Sequence, residues 1–102
     1  PEPAARTAAE APGEPPAETL SVTLRYFAAA AEAAGRPEER LDLPTGTTLA
    51  GLREQLAGRG LEMARVIGIS SFLVNAVSAP ADSLALLADG DRVDVLPPFA
   101  GG

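Results

Sequence analysis

The sequence predicts an α+β domain, in which a mixed β-sheet is covered on one face by one main helix. Three features predict this class. Alternating apolar and polar residues mark strands near both ends of residues 20–96. An amphipathic helix lies between these strands. The resulting order of two strands, a helix and two further strands is most simply met by one sheet with the helix packed against it.

Residues 1–19 differ from the rest of the chain. They contain five prolines, four glutamates and six alanines, and they have no large apolar side chain. Such a segment cannot bury enough apolar surface to offset the entropy lost on ordering, so we expect a disordered acidic leader. Residues 20–102 then form a single small domain, which is long enough for a modest core.

Charge and composition exclude several classes of function. The formal net charge is −6 and the isoelectric point is near 4.5, which argues against nucleic acid or an anionic membrane as the partner. The chain has no cysteine and no apolar run of membrane-spanning length. We therefore expect a cytoplasmic protein.

The first half of the domain begins with two predicted strands. Residues 21–27 alternate, and their apolar face carries Val22, Leu24 and Tyr26. Phe27 is the exception, because this phase places it on the polar face. The alanine-rich residues 28–34 predict a short helix that ends at Gly35. Residues 39–43 alternate again and predict the second strand.

The main helix is predicted to begin after Thr48, a suitable N-cap residue. It carries three leucines on one face (Leu49, Leu52 and Leu56), and Gly58 ends it. Residues 61–69 have helix-like spacing but are short and ambiguous. The apolar, β-branched residues 72–77 predict one continuous third strand.

The second half ends in a strand over residues 92–96, preceded by a tight turn at Asp89-Gly90. Before that turn, three leucines are predicted to fill the core from a short turn or helix: Leu84, Leu86 and Leu87. In the last strand Leu96, like Phe27, falls on the charged face. The ubiquitin-like β-grasp fold satisfies this order of elements and places the first and last strands side by side and parallel. Phe27 and Leu96 would then form one apolar patch.

The last seven residues are Leu-Pro-Pro-Phe-Ala-Gly-Gly. The two prolines fix φ and remove two backbone donors, so they predict a stiff arm that leaves the last strand. The final Gly101 and Gly102 allow close approach to another surface and insertion into a narrow channel. This ending predicts a functional tail.

The candidate reactive group is the α-carboxylate of Gly102. The chain contains no cysteine or histidine, and all eight basic residues are arginines, so the usual nucleophiles and neutral-pH bases are missing. Any metal site would have to be built from carboxylates alone, and we predict none. A free carboxylate is a poor electrophile and reacts only after activation by another protein, for example as an acyl adenylate. The sequence thus predicts a carrier or substrate and not a stand-alone catalyst.

Several motifs of residues 20–102 resemble those of the MoaD/ThiS sulfur carriers, most closely the MoaD branch, the small subunit of molybdopterin synthase. The Pro-Pro-x-x-Gly-Gly ending is the most specific of them. The others are Arg25-Tyr26-Phe27-Ala28, Glu32-Ala33-Ala34-Gly35, Leu43-Pro44, Thr48-Leu49, Val74-Asn75 and Asp89-Gly90-Asp91.

The resemblance implies a sulfur-transfer cycle. An E1-like enzyme adenylates the Gly102 carboxylate with ATP, and a persulfide donor converts it to a thiocarboxylate. The tail then enters the large subunit of molybdopterin synthase and gives its sulfur to cyclic pyranopterin monophosphate. The carrier is then the sulfur-donor subunit of a sulfurtransferase and binds no cofactor itself. Gly101 would fit the channel, and the partner interface would comprise Phe27, Leu96, Pro97, Pro98, Phe99 and Ala100.

Three other functions remain open at this point. The chain could carry sulfur for thiazole (thiamine) or cysteine synthesis, which the enzyme that consumes the thiocarboxylate would reveal. It could be a ubiquitin-like protein modifier, although without lysine it could not form lysine-linked chains of itself. It could also be a plain interaction domain with an inert tail, whose function would survive loss of Gly101 and Gly102.

Overall fold

The computed structural model describes residues 18–98 as a five-stranded sheet with three helices. The elements are β1 Thr19–Tyr26, α1 Ala29–Ala34, β2 Glu38–Pro44, α2 Leu49–Ala57, α3 Leu61–Ile69, β3 Ser71–Val74, β4 Val77–Ala79 and β5 Arg92–Leu96. The predicted leader, apart from Glu18 and Thr19, and the tail residues 99–102 lie outside the described residues.

The sheet has the strand order β2-β1-β5-β3-β4. The first and last strands, β1 and β5, are neighbours and run parallel, whereas the other three pairs are antiparallel. Together with the covering helices, this topology is the ubiquitin-like β-grasp fold, which confirms the predicted fold class. The last strand is therefore a central strand of the sheet.

One face of the sheet forms the core. The residues of β1 that were predicted to be apolar and buried are buried, and so are Val93 and Val95 of β5. Helix α2 covers this face with Leu49, Leu52 and Leu56, and α3 adds Met63, Val66 and Ile67. The predicted N-cap is confirmed, because the Thr48 hydroxyl accepts a hydrogen bond of 3.0 Å from Gly51 N–H. Residues 61–69, which the sequence left ambiguous, form a helix because one side of them packs on this core.

The prediction of one strand over residues 72–77 is wrong. The segment is a hairpin, in which β3 and β4 are joined by Asn75 and Ala76, both at positive φ (52° and 70°). The side chain of Asn75 holds this turn by donating to Asp91 Oδ1 and accepting from Arg92 N–H, each at 2.9 Å. Both partners lie far along the chain, so the apolar run itself does not reveal the turn.

The prediction that three leucines of the β4–β5 connection fill the core is correct for one of them. Leu87 is buried, whereas Leu84 and Leu86 are 78% and 69% exposed. The segment runs extended beside the start of α2, where Leu86 forms a bridge with Thr48 and Leu87 N–H donates to Thr47 C=O. In an extended chain neighbouring side chains point to opposite sides, so Leu87 alone reaches the core.

Candidate functional site

The root of the tail lies at the end of β5, in the middle of the sheet. Leu96 pairs with Ser71 of β3 on one side. On the other side, Phe27 N–H donates to Val95 C=O at 3.2 Å, which extends the parallel pairing beyond the end of β1. Pro97 is buried and Pro98 is exposed. The chain therefore leaves the sheet from a point that is fixed on both sides, and the next residues are the Phe-Ala-Gly-Gly of the tail.

Phe27 and Leu96 lie together on the open face of the sheet, opposite the helices. The register of β1 and β5 pairs Tyr26 with Val95, and its continuation by one residue places Phe27 beside Leu96. Both residues are half-buried. Leu73 of β3 pairs with Asp94 of β5 and is a third half-buried apolar residue on this face. We call these three residues the tail-root patch. Sequence reasoning missed Leu73, because it belongs to the run that was misread as one strand.

A charged cluster borders the tail-root patch. Asp94 of β5 is only 7% exposed, and its Oδ1 lies 3.6 Å from Arg25 Nε and 3.9 Å from Arg92 Nε. The guanidinium carbon of Arg25 also lies 5.4 Å from the centre of the Phe27 ring, a cation–π distance. The alternation placed Asp94 on the charged face of the last strand and gave no indication that it is buried. The signal that was available is that Arg25 and Asp94 have opposite charge and occupy the same phase of two adjacent strands.

A second polar cluster joins β1, the edge strand β2 and the α2–α3 turn, and it has a structural role. The Tyr26 hydroxyl and Arg59 Nη1 both donate to Glu39 Oε2, at 2.5 Å each. Burial, followed by the hydrogen bond to Glu39, raises the pKa of Tyr26. Burial acts to raise the pKa of Glu39 as well, but the bonds from Arg59 and Tyr26 outweigh it and leave that pKa lowered. These shifts keep Tyr26 neutral and Glu39 ionised near neutral pH. The cluster thus fixes the α2–α3 turn to the sheet.

Among residues 18–98, no group of three His, Cys, Asp or Glu side chains is placed to hold a metal ion. Within the same residues no helix is both long enough and apolar enough to span a membrane. The reactive residues predicted from the sequence, Gly101 and Gly102, follow the described part of the chain, as do Phe99 and Ala100. The structure thus locates the base of the tail and the surface around it.

The sequence model of the ThiS family matches residues 24–102, which include both the sheet and the tail. The chain belongs to the ThiS family. This is the sulfur-carrier family that the sequence motifs resemble. No curated protein sequence matches the chain.

Solved structures share the fold over nearly their whole length. A putative molybdopterin converting factor subunit 1 from Pyrococcus furiosus is 28% identical with a TM-score of 0.67, and the match covers 78% of this chain and 99% of that one. SAMP1 from Haloferax volcanii is 27% identical with a TM-score of 0.67, covering 80% and 99%. A complex of subunits 1 and 2 of the molybdopterin-converting factor from Helicobacter pylori matches with a TM-score of 0.59 and 23% identity, covering 81% and 100%.

Proposed function

We propose that this member of the ThiS family carries sulfur for molybdenum cofactor biosynthesis. In this cycle Gly102 is adenylated, converted to a thiocarboxylate, and used to donate sulfur to cyclic pyranopterin monophosphate within molybdopterin synthase. The observation that supports it best is the position of the tail root. A central strand ends in two prolines beside an apolar patch, and the chain continues as Phe-Ala-Gly-Gly. A partner that covers the patch can aim the tail into its own active site.

The terminal carboxylate must be activated before it can accept sulfur, because it is a poor electrophile. It is ionised at neutral pH and resists attack by nucleophiles. Transfer of an adenylyl group from ATP releases pyrophosphate and gives a mixed anhydride. The terminal sulfur of a persulfide can then attack its carbonyl carbon while AMP leaves. A thiol then reduces the sulfur–sulfur bond and releases the thiocarboxylate. That group is a nucleophile, and after its sulfur is transferred, hydrolysis returns the carboxylate for another cycle.

The partners follow from the same proposal. One is an E1-like activating enzyme that uses ATP, and the other is the large subunit of molybdopterin synthase. The structure from Helicobacter pylori is a complex of two subunits of the molybdopterin-converting factor, and its fold agrees with that of this chain. The net charge of −6 favours protein partners over nucleic acid or anionic membranes, and the cycle would take place in the cytoplasm.

A second candidate function is protein modification. Its support is the similarity to SAMP1, which is called a small archaeal modifier protein. Activation of Gly102 would be shared by both functions, but a modifier passes its acyl group to an amine of another protein. Because all eight basic residues of this chain are arginines, its own side chains offer no amine for lysine-linked chains. Conjugates would then carry single copies. Transfer of the sulfur to a thiazole or to a cysteine precursor is a further alternative.

Intact mass spectrometry of the protein purified from its native source tests the carrier function. We expect a fraction of the molecules to be heavier by the difference between sulfur and oxygen, and this shift to map to Gly102. Reconstitution with the large subunit and the pterin substrate then distinguishes the pathways. Covalent conjugates on denaturing gels, with no thiocarboxylate and no pterin conversion, would contradict the proposal and favour the modifier.

Changing the length of the tail tests the mechanism. Deletion of Gly102 withdraws the reactive carboxylate by about 3.3–3.6 Å along an extended chain. Displacements of about 1 Å already impair positioned reactions. We expect adenylation and sulfur transfer to collapse while urea unfolding remains unchanged. Retained pterin conversion by this variant would contradict the proposed role of Gly102.

A further inference from the structure

Two guanidinium groups share one carboxylate on the open face of the sheet. Asp94 Oδ1 lies within 4 Å of a nitrogen of both Arg25 and Arg92. This oxygen is buried and accepts no hydrogen bond from any residue that the structure describes. Glu38 of β2 is the register partner of Arg25 in β1, but no ion pair joins them among the described residues. The cluster therefore carries one positive charge more than its carboxylate neutralises, in a chain whose net charge is −6.

Two contacts orient the guanidinium group of Arg25. Its Nε faces Asp94, its guanidinium lies over the Phe27 ring, and 38% of its side chain is exposed. Within residues 18–98 none of its nitrogen atoms donates a hydrogen bond to a protein atom. Contacts that orient the guanidinium reduce the conformational freedom that is lost on binding, and its planar fork of Nη donors suits an anionic acceptor.

Arg25 adjoins the tail-root patch, because its guanidinium group lies over the ring of Phe27. A protein that covers Phe27 also removes water from the guanidinium. Asp94 approaches the Nε side of this group, so the Nη donors would lose water without gaining a partner, which is unfavourable. A partner that fits the patch must therefore supply an acceptor at this position, and the acceptor that matches the guanidinium fork is a carboxylate.

We propose that Arg25 determines partner specificity, and that the protein gripping the root of the tail places an Asp or Glu carboxylate against it. In this arrangement apolar side chains of the partner cover Phe27, Leu73 and Leu96, and its carboxylate completes the Arg25–Asp94–Arg92 cluster. Asp94 is a positioning residue that orients Arg25 and does not itself contact the partner carboxylate. This inference rests on the proposed function, since it takes the tail-root patch to be the docking surface of the large synthase subunit.

The absence of lysine permits a direct test. Arg25→Lys keeps the positive charge and introduces the only lysine amine into the chain. A zero-length carbodiimide reagent joins an amine to a carboxylate that it contacts. We expect the Arg25→Lys variant, mixed with the large subunit, to give a covalent heterodimer whose linkage maps by mass spectrometry to one Asp or Glu of the partner. Arg40→Lys is the matched control, because Arg40 lies on the same face but on the edge strand β2.

Binding measurements provide a second readout. Arg25→Met keeps an unbranched side chain, although a shorter one, and removes the charge. We expect affinity for the large subunit to fall about tenfold and to depend less on salt. Asp94→Asn should weaken binding by a smaller factor without reducing the salt dependence, since Arg25 remains charged but is less well oriented. Urea unfolding of each variant shows that the fold is intact.

The outcomes separate this inference from the proposed function. If the parent protein binds the large subunit, but Arg25→Lys gives no specific cross-link and Arg25→Met binds normally, the inference is wrong and the proposed function stands. If Arg40→Lys cross-links as well as Arg25→Lys, the carboxylate is not placed at Arg25 and the inference is also wrong. If the parent protein does not bind the large subunit at all, the proposed function fails and the inference fails with it.

Discussion

The two faces of the sheet are built from the same strands, but their side chains differ in polarity and in burial. On the core face nearly every side chain is apolar and excluded from water, as Leu24, Val93 and Val95 show. On the open face most side chains are polar, and the half-buried apolar ones gather around the end of β5. Folding explains the first pattern, because burial of apolar area stabilises the domain. It does not require the second, which is why the proposed function assigns the tail-root patch to binding.

Two adjacent residues of β3 provide the strongest test of this difference. Phe72 is 1% exposed on the core face, and Leu73 is half-buried on the open face. Removing a large aromatic side chain from a core costs about 3–5 kcal/mol, a large part of the roughly 5–15 kcal/mol that stabilises a typical domain. We expect Phe72→Ala to unfold at much lower urea concentration, and Leu73→Ala to lose about 1 kcal/mol or less.

Binding should show the reverse order. Leu73→Ala is expected to weaken association with the large subunit, while any Phe72→Ala protein that remains folded should bind normally. Equal destabilisation by the two substitutions would show that the open face is part of the core, and would remove the argument for a docking surface.

Leu96→Glu introduces a charge into the tail-root patch and leaves the core residues unchanged. Burial of a leucine at a contact contributes roughly 1.5–3 kcal/mol, and a few positions usually dominate an interface. We expect binding to the large subunit, measured by titration calorimetry, to weaken at least about tenfold, which corresponds to 1.4 kcal/mol. The free protein should lose little stability, since Leu96 already contacts water. Unchanged affinity together with unchanged stability would contradict the role of the patch.

The cluster of Tyr26, Glu39 and Arg59 is expected to stabilise the domain to an extent that depends on pH. Its hydrogen bonds lower the pKa of Glu39, so the stabilisation is complete above the usual value of about 4.5 and is lost as the pH falls through the lowered pKa of the folded state. Glu39→Gln should reduce the free energy of unfolding by about 1 kcal/mol at neutral pH. The difference from the parent protein should shrink in acid.

Glu38→Gln is the matched control for this prediction, because Glu38 is the exposed neighbour on the opposite face of β2. Its unfolding curves should follow those of the parent protein from acid to neutral pH. A pH-independent difference for Glu39→Gln would mean that the bonds to Arg59 and Tyr26 do not depend on ionised Glu39.

Removal of residues 1–17 is expected to have the smallest effect. This deletion keeps Glu18, whose C=O accepts a hydrogen bond of 3.0 Å from Thr45 N–H at the edge of β2. The composition of the removed segment predicts no contribution to the core, so the thermal midpoint and sulfur transfer should match those of the parent protein. A clear drop in the midpoint would show that the leader packs on the domain.

The sequence was informative wherever a residue's environment depends on its near neighbours. Alternation placed β1, β2 and β5 correctly, and the Thr48 cap marked the start of α2, because these signals are local. Sequence-based prediction failed where residues that are distant along the chain determine the conformation. Asn75 turns the chain because Asp91 and Arg92 bind its side chain, and Leu87 enters the core because the backbone beside it pairs with Thr47. The buried state of Asp94 likewise depends on two arginines from different positions in the sheet.

The central position of β5 also affects how the domain folds during its synthesis. Residues 19–79 contain only two separate ladders, β1–β2 and β3–β4, and isolated two-stranded ladders are marginal in water. On the ribosome, residues 92–96 are the last of these elements to be made, so the sheet cannot form in stages behind the growing chain. Pairing of β5 with β1 both completes the domain and creates the root of the tail. A molecule that ends before β5 therefore lacks Leu96, and with it a complete tail-root patch.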